Sequence, residues 1–398
     1  MTRPIPFHVP SIGEEEINEV VAVLRSGWLT TGPRTATFEA EFREYLGCRS
    51  ALAVNSATAG LHLALAASGI GPGDEVITTP MTFCATVNVI LHVGAEPVLA
   101  DVLPDGNIDP ASVAARISSR TKAIIPVHLA GKPCDMDALW ALARRHGLKV
   151  IEDAAHATEA HYHGLPLGSA AAPHQSDAVA FSFYATKNIT TGEGGMVVTN
   201  DMALAERMRC LCLHGISKDA WNRYGRKGKW QYQVLENGFK YNLSDIQSGI
   251  GIHQLRKIEK LARKRRRLVT AYNAEFAGVD EIETPPPSAD GRHAWHLYAI
   301  RLNLEALTID RDEFMEKLQQ CGIGASVHFI PIPLHPYFKK YAGLPRNQCP
   351  KAMDLYLRSI SLPLYPDLTL RQVKRVATTV KNIVAANRAA RNVAAASA

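Results

Sequence analysis

The chain has 398 residues, of which 46% are hydrophobic and 21% charged, and its formal net charge is +6. This length allows two domains that share a large core, and the composition is that of a soluble globular enzyme. No apolar run approaches the roughly 18 residues of a membrane helix, and the mild, dispersed charge does not favour nucleic-acid binding. The seven irregularly spaced cysteines favour free thiols in a reducing cytoplasm over a disulfide framework.

The first half of the chain predicts an arm with helices, followed by alternating strands and helices. A helical pattern runs from Gly13 to Arg25, and a turn-rich loop at residues 26–33 carries Trp28. Apolar runs of strand length follow at Ser50–Val54, Glu75–Thr79, Pro97–Ala100, Lys122–Val127, Lys149–Glu152, Val179–Phe183 and Met196–Thr199. Helical patterns lie between them at Thr58–Ser68, Ala85–His92, Pro110–Ile117 and Asp135–His146. This alternation predicts a mainly parallel central sheet covered by helices.

The second half predicts a long helix from Ile246 to about Phe276 and then a smaller α+β domain. The basic run Arg263–Arg267 is interpreted as a solvated face of that helix. Strands are predicted at Ala294–Leu302 and Ala325–Phe329, and helices at Arg311–Cys321, Pro350–Arg358 and Leu370–Ala385. We therefore predict two units, with an arm and a large domain in residues 1–250 and the connecting helix and small domain in residues 251–398.

Three of the predicted strands end in residues that could bind a ligand or take part in catalysis. This position matters because ligands of such sheets collect at the carboxyl ends of the strands. Residues 55–60, NSATAG, open a helix whose first amides favour an anion, although Ser and Thr are also ordinary N-caps. Asp153 emerges from an apolar strand, as a functional carboxylate or as a helix cap. Ser182 ends a further strand, and Lys187 follows it beside the glycine-rich turn 192–195.

The chemistry of Lys187 depends on its surroundings. Burial disfavours the ammonium form, and a neutral amine can form a Schiff base with a carbonyl group. An amine, an anion cradle and a buried carboxylate are the groups that pyridoxal phosphate requires, and Phe83 at a fourth strand end could stack on the cofactor ring. The sequence contains no Walker loop and no GxGxxG after a strand, which disfavours nucleotide cofactors. Cys210, Cys212 and His214 do not have the usual zinc spacing, so no metal site is predicted.

Motifs along nearly the whole chain resemble those of the DegT/DnrJ/EryC1/StrS family of sugar aminotransferases. They are NSATAGLHLAL, GDEVITTPMTFCATVNVILHVGAEPV, TKAIIPVHLAG, VIEDAAHA, FSFYATKNITTGEGG, KYNLSDIQ, AWHLYAIRL, VHFIPIPLH and SLPLYPDLT. The resemblance implies a fold-type-I aminotransferase architecture and a homodimer with the active site at its interface. It also implies that pyridoxal 5′-phosphate alternates with pyridoxamine phosphate during transfer of an amino group to a keto sugar.

The resemblance assigns roles to individual positions. Lys187 would hold the cofactor as a Schiff base and shuttle the proton, and Asp153 would pair with the pyridine nitrogen. His156 would lie near the ring hydroxyl and Phe83 would stack on the ring. The phosphate would be held by Ala57, Thr58 and Ser182, together with Asn242 from the other subunit. The sugar-nucleotide site would be lined by Phe7, Gly27, Trp28, Leu29, Thr30 and His328.

Within the family, the motifs look most like the branch that aminates UDP-linked 4-keto sugars, and Lys187 excludes the dehydratase branch, which has histidine there. The expected reaction transfers the amino group of L-glutamate to a nucleotide-linked 4-keto sugar, for cell-surface polysaccharide, lipid A or amino-sugar biosynthesis. Two alternatives stay open: a non-catalytic regulator that binds the cofactor, and another fold-type-I enzyme that acts on amino acids. The stretch Trp221–Gln233 suits either a diphosphate or a dimer contact.

Overall fold

The computed structural model describes residues 3–216, 232–286, 291–340 and 349–389. Most of the stretch Trp221–Gln233 therefore lies outside the described residues. The strands are β1 (Ser50–Val54), β2 (Glu75–Thr78), β3 (Glu96–Leu99), β4 (Thr121–Ile125), β5 (Lys149–Asp153), β6 (His161–Tyr162), β7 (Leu165–Pro166), β8 (Ala178–Ser182), β9 (Gly195–Thr199), β10 (Ile282–Glu283), β11 (Gly291–Arg292), β12 (Tyr298–Leu302) and β13 (Ser359–Leu362). The α-helices are α1 (Glu14–Ser26), α2 (Pro33–Leu46), α3 (Ala57–Ala67), α4 (Ala85–His92), α5 (Pro110–Ala114), α6 (Met136–His146), α7 (Met202–Cys212), α8 (Asp245–Arg256), α9 (Ile258–Phe276), α10 (Arg311–Gln320), α11 (Pro350–Arg358) and α12 (Leu370–Ala386).

A seven-stranded sheet with the order β1-β9-β8-β5-β4-β2-β3 forms the centre of the large domain. Strands β2, β3, β4, β5 and β8 pair in parallel, whereas β9 runs antiparallel to both of its neighbours. The predicted mainly parallel sheet is confirmed. Because β9 reverses direction, the loop between β8 and β9 stays at the same sheet edge as the ends of the parallel strands.

Helices cover both faces of this sheet, and the side chains of β8 show how. Ala178 and Ala180 pack into the core beneath α3, whereas Val179 and Phe181 pack on the opposite face with α2 and α8. On that second face the Phe42 ring lies 5.4 Å from the Phe181 ring and 5.7 Å from the Phe183 ring. Burial on both faces explains why the strand is almost uniformly apolar.

The C-terminal part contains a second core around the antiparallel sheet β10-β12-β13. Tyr272 of α9 stacks on Tyr298 of β12 at 4.7 Å, and its hydroxyl donates to the Pro363 carbonyl oxygen at 2.9 Å. The predicted strand Ala325–Phe329 is wrong, because only Ser326 forms a β-bridge there, with Ser361. The division at residue 250 stays a prediction.

The predicted long helix is two helices, since it breaks at Lys257, whose φ of −107° and ψ of 7° are not helical. The break lets α8 pack on α1 and α2 while α9 packs on α12. The interpretation of Arg263–Arg267 as a solvated face is wrong for Arg265, which is 2% exposed. Within the described ranges, no helix is long and apolar enough to cross a membrane.

The close approach of β9 to the start of α3 yields a test of the fold. A Cβ atom at Gly195 would lie 2.6 Å from the Ala57 amide nitrogen and 2.8 Å from the Phe181 carbonyl oxygen. We predict that Gly195→Ala lowers the free energy of unfolding by about 3 kcal/mol, because neither backbone can move aside freely. At Gly71 the nearest atom would be 3.7 Å away, so Gly71→Ala should change stability by less than about 1 kcal/mol. Denaturant titration checks both, and equal effects would contradict the packing described.

Candidate active site

A cavity of about 420 Å³ opens at the carboxyl ends of the parallel strands. The candidate residues were predicted at these strand ends. Its walls come from the start of α3, the segment before α4, the end of β5, the β8–β9 loop and the segment around residue 328. The predicted site residues that line it are Ala57, Thr58, Phe83, Asp153, His156, Ser182, Lys187 and His328. The fold therefore brings together eight residues that are spread over more than half of the chain.

Lys187 lies on the β8–β9 loop, which the backbone holds closely. Its amide nitrogen donates to the Tyr184 carbonyl oxygen at 2.9 Å, and the Thr190 hydroxyl donates to the Phe183 carbonyl oxygen at 3.0 Å. Burial lowers the pKa of the Lys187 amine to about 8, and the negative charge of Asp153 acts in the opposite direction. Below about pH 8 the ammonium form predominates, and above it the nucleophilic neutral amine does.

Asp153 ends β5 and is 6% exposed. Its Oδ2 accepts a hydrogen bond from the Thr86 hydroxyl at 2.8 Å, and its Oδ1 accepts one from the Ala155 amide at 3.1 Å. Because the Thr86 proton points at the carboxylate, the Thr82 hydroxyl is the donor in the 2.6 Å contact between the two threonines. This chain of hydroxyls orients the carboxylate. The sequence reasoning missed Thr82 and Thr86 as supports, although both flank the predicted Phe83.

The beginning of α3 forms a wall of the cavity that is suited to an anion. Ser56 caps the helix by accepting a hydrogen bond from the Ala59 amide at 3.1 Å. The amides of Ala57 and Thr58 lie in the first turn, where helical amides have no intrahelical acceptor, and both residues line the cavity. Ser182 is buried on the facing strand. Amides at a helix N-terminus and a nearby hydroxyl are suited to a phosphate group.

Three imidazoles face the cavity, of which the sequence reasoning assigned two. His156 and His328 were predicted, and His296 was missed although it lies in one of the family motifs. Burial, and then the positive charge of Lys187, lowers the pKa of His156 well below its ordinary value and that of His328 to about 4. Burial also holds the pKa of His296 well below 6.5. All three rings are therefore neutral near pH 7.

The Nδ1 atom of His156 is buried and has no hydrogen-bond partner among the described residues. Such an atom indicates a ligand group at that position, because unpaired buried polar atoms are costly. The His156 ring lies 5.6 Å from the Phe329 ring in a stacked arrangement, which holds the imidazole plane. Phe83 is 62% exposed at the mouth of the cavity, free to pack against a bound ring.

Other predicted residues do not line the cavity of their own chain. Phe7 is not among the lining residues, but its ring stacks on that of His328, which does line the cavity, with 5.5 Å between the ring centres. Asn242 lies beside the loop Gly27–Thr30: its Nδ2 donates to the Thr31 hydroxyl at 2.6 Å, and the Asp245 amide donates to the Thr30 carbonyl oxygen at 3.2 Å. The loop residues Gly27, Trp28, Leu29 and Thr30 are exposed. The structure thus joins two predicted elements into one surface outside the cavity.

An amine, an oriented carboxylate and a helix N-terminus suited to an anion, all in one cavity, define a site of the pyridoxal-phosphate type. Comparison with known proteins agrees, since residues 10–381 match the DegT/DnrJ/EryC1/StrS aminotransferase family. The chain belongs to this family. The resemblance in the sequence and the predicted fold class are both confirmed.

Individual relatives cover almost the same length. The chain is 47% identical over 382 residues to the spore coat polysaccharide biosynthesis protein SpsC of Bacillus subtilis, covering 96% of this chain and 97% of SpsC. Spr1654 of Streptococcus pneumoniae, assigned as a sugar aminotransferase, superposes in its PLP form with a TM-score of 0.89 at 33% identity, covering 96% and 99% of the two chains. PseC of Helicobacter pylori, an aminotransferase of pseudoaminic acid biosynthesis, gives a TM-score of 0.88 at 33% identity, covering 96% and 100%.

The family is dependent on pyridoxal 5′-phosphate, and Spr1654 has been solved with both the PLP and the PMP form of the cofactor. The residues of this cavity fit that group. Lys187 would supply the amine and Asp153 a carboxylate for the ring nitrogen, and the first turn of α3 would receive the phosphate. His156 has a nitrogen without a partner among the described residues that a group of the ring would satisfy. The predicted cofactor is therefore confirmed.

Burial lowers the pKa of Lys187 and the charge of Asp153 raises it, and this opposition can be tested. We predict that Asp153→Asn lowers the pKa of Lys187 below about 8, because the carboxylate that raises it is lost. In the cofactor-free chain, the pH midpoint for acylation of Lys187 should move to lower pH, as followed by mass spectrometry of the Lys187 peptide. Thr86→Val removes a hydrogen bond to the carboxylate but keeps its charge, so it should move the midpoint less. A midpoint that rises in Asp153→Asn would refute the assignment.

Proposed function

We propose that this chain transfers the amino group of L-glutamate to a nucleotide-linked 4-keto sugar, with pyridoxal 5′-phosphate as cofactor. The observation that carries the proposal is a lysine whose amine has a pKa of about 8 in the same cavity as the oriented carboxylate of Asp153. When bound, the cofactor supplies an electron sink that stabilises negative charge on the carbon that loses a proton. The two residues act as a base and as the partner of the ring nitrogen.

The chain's own groups have distinct tasks in this reaction. The Nζ atom of Lys187 takes up a proton from the donor and returns it during amination, and a pKa near 8 suits both directions. Asp153, held in place by Thr86 and the Ala155 amide, would pair with the protonated ring nitrogen. The amides of Ala57 and Thr58, with Ser182, would anchor the phosphate. Neutral His156 would hold the ring hydroxyl through a nitrogen that does not compete for the proton on Lys187.

Support for a sugar acceptor comes from the relatives. SpsC is named for spore coat polysaccharide biosynthesis and PseC for pseudoaminic acid biosynthesis. We further propose that the acceptor is a UDP-linked 4-keto sugar, because the motifs SGWLTTGP (residues 26–33) and FKYNLSDIQ (residues 239–247) resemble those of the branch that aminates such sugars. The product would serve the biosynthesis of cell-surface polysaccharide, lipid A or another amino sugar. The nucleotide would extend past His328 and Phe7 towards the mouth of the cavity.

We further propose a homodimer in which the second copy completes the site. Apolar rings at the mouth are open to solvent in the single chain: Phe83 is 62% and Tyr184 46% exposed. The surface formed by Asn242 and the loop Gly27–Thr30 carries Trp28 and Leu29, which are 38% and 45% exposed. In the dimer this surface would cover the partner's cavity, and Asn242 would reach the partner's phosphate site. The cytoplasmic location expected from the cysteines stays a prediction.

The role of Lys187 is tested by Lys187→Ala. We predict that the bound cofactor loses its lysine-dependent visible absorbance, and that its conversion by L-glutamate slows by at least about 10³-fold. In the part of the chain that the structure describes, no other lysine lines the cavity to move the proton. Stopped-flow spectroscopy after adding glutamate measures the rate. His163→Ala, a change at an exposed position remote from the cavity, is the control and should keep the wild-type rate. Conversion at the wild-type rate in Lys187→Ala would refute the role.

The substrate class is tested by the loaded wild-type enzyme. We predict that its pyridoxamine phosphate form, made with glutamate, returns to the pyridoxal form on adding a UDP-linked 4-keto sugar, with a product one amino group richer by mass spectrometry. Spectral conversion by glutamate without turnover of any keto sugar nucleotide, but with turnover of free amino acids, would favour a different fold-type-I activity. No conversion by any amine would favour a regulator that binds the cofactor without catalysis.

A further inference from the structure

The residue after the catalytic lysine, Asn188, is enclosed by the protein and has a fixed side-chain orientation. It is 3% exposed, and its Nδ2 donates to Glu159 Oε1 at 2.6 Å and to the Ala294 carbonyl oxygen at 2.9 Å. A carbonyl oxygen can only accept a hydrogen bond, so the amide nitrogen of Asn188 must face Ala294. The amide oxygen must then face the opposite side.

On that opposite side, Oδ1 of Asn188 lies 3.0 Å from Nδ1 of His296. Since an amide oxygen only accepts, the Nδ1 atom of His296 must carry a hydrogen. The His296 ring is buried, and three basic side chains that line the cavity, His156, Lys187 and His328, lie near it. Burial and these neighbours both favour the neutral form of the ring. A neutral imidazole with its hydrogen on Nδ1 has an unprotonated Nε2.

We propose that Asn188 fixes His296 as the Nδ1–H tautomer, so that its Nε2 presents a hydrogen-bond acceptor to the catalytic cavity. His296 lines that cavity, and its ring centre lies 4.3 Å from that of His156. The acceptor suits an N–H or O–H donor of a bound ligand. That this donor belongs to an amino donor or a sugar rests on the proposed function, whereas the tautomer does not.

A buried ion pair holds Asn188 in place. Arg265 of α9 donates from Nη2 to the Asn188 carbonyl oxygen at 2.9 Å, and its Nη1 lies 3.6 Å from Glu159 Oε1. The side chains of Arg265 and Glu159 are 3% and 0% exposed. We call Glu159, Asn188, Arg265 and His296 the buried tetrad. It ties the loop of Lys187 to α9, whose later residues Leu268 and Tyr272 belong to the C-terminal core.

In this arrangement Glu159, Asn188 and Arg265 are positioning residues. Asn188 is bonded through both its main chain and its side chain, so the backbone that carries Lys187 has little freedom at this point. A misplacement of about 1 Å at a reacting group can cost about 10²-fold in rate. The tetrad therefore affects catalysis through the placement of Lys187 and the protonation pattern of His296.

The tautomer is tested by ¹⁵N NMR of the full-length chain labelled at histidine, with and without cofactor. The His296 signals are those that disappear in His296→Gln. We expect a protonated Nδ1 and an unprotonated Nε2, unchanged between pH 6 and pH 8. A protonated Nε2, a mixture of tautomers or titration in this range would overturn the proposal.

Asn188→Ala removes the acceptor for the Nδ1 hydrogen. We expect its His296 signals to shift to mixed tautomers and its glutamate conversion rate to fall by about 10²-fold per folded, cofactor-loaded molecule. Asn200→Ala is the matched control, because Asn200 also bonds two main-chain groups, Gly168 and Arg49, at the far end of β9. It should leave both readouts unchanged.

A folded Asn188→Ala chain with wild-type His296 signals would overturn the proposal. If that variant does not fold, the tautomer seen in the wild-type ¹⁵N spectrum alone supports or overturns it. Failure of glutamate to convert the wild-type cofactor would contradict the proposed function while leaving the tautomer result valid.

Discussion

The site depends on a partly desolvated amine held in one cavity with a carboxylate. Burial lowers the pKa of Lys187 to about 8, and Asp153 prevents a further fall, so both protonation states of the amine are accessible near neutral pH. A proton can then be taken up and released by the same atom. Neither burial nor the carboxylate alone would make both protonation states of the amine accessible. An exposed lysine stays charged, and a buried lysine without a carboxylate would rarely hold a proton.

The fold produces this balance by bringing strand ends together. Asp153 ends a parallel strand, and Lys187 follows the next strand in the sheet on a loop that returns through antiparallel β9. Gly195 starts β9 and permits a backbone approach to the first turn of α3 that any Cβ atom would block. The amine, the carboxylate and the anion-binding amides are thereby fixed by the main chain, with hydroxyls from Thr82 and Thr86 completing the orientation of Asp153.

The site residues that lie at or just after a strand end could be predicted from the sequence. Apolar runs locate the strands, and the carboxyl ends of parallel strands meet at one edge of the sheet. Asp153, Ser182 and Lys187 were found in this way. The supports were not, because their contacts join distant positions: Arg265 and Asn188 are 77 residues apart, and Asn188 and His296 are 108 apart. No local signal marks the helix break at Lys257, where neither proline nor glycine occurs. Nor does the sequence show that Asn242 and Thr31 share one surface.

Reduction followed by peptide mapping identifies the amine that is bonded to the cofactor, which we infer to be that of Lys187. Borohydride treatment of the loaded wild-type protein makes the bond between cofactor and amine permanent. Digestion and mass spectrometry then identify the modified peptide. We expect the cofactor mass on Lys187 alone. Recovery of the cofactor on another lysine, or on none after reduction, would contradict it.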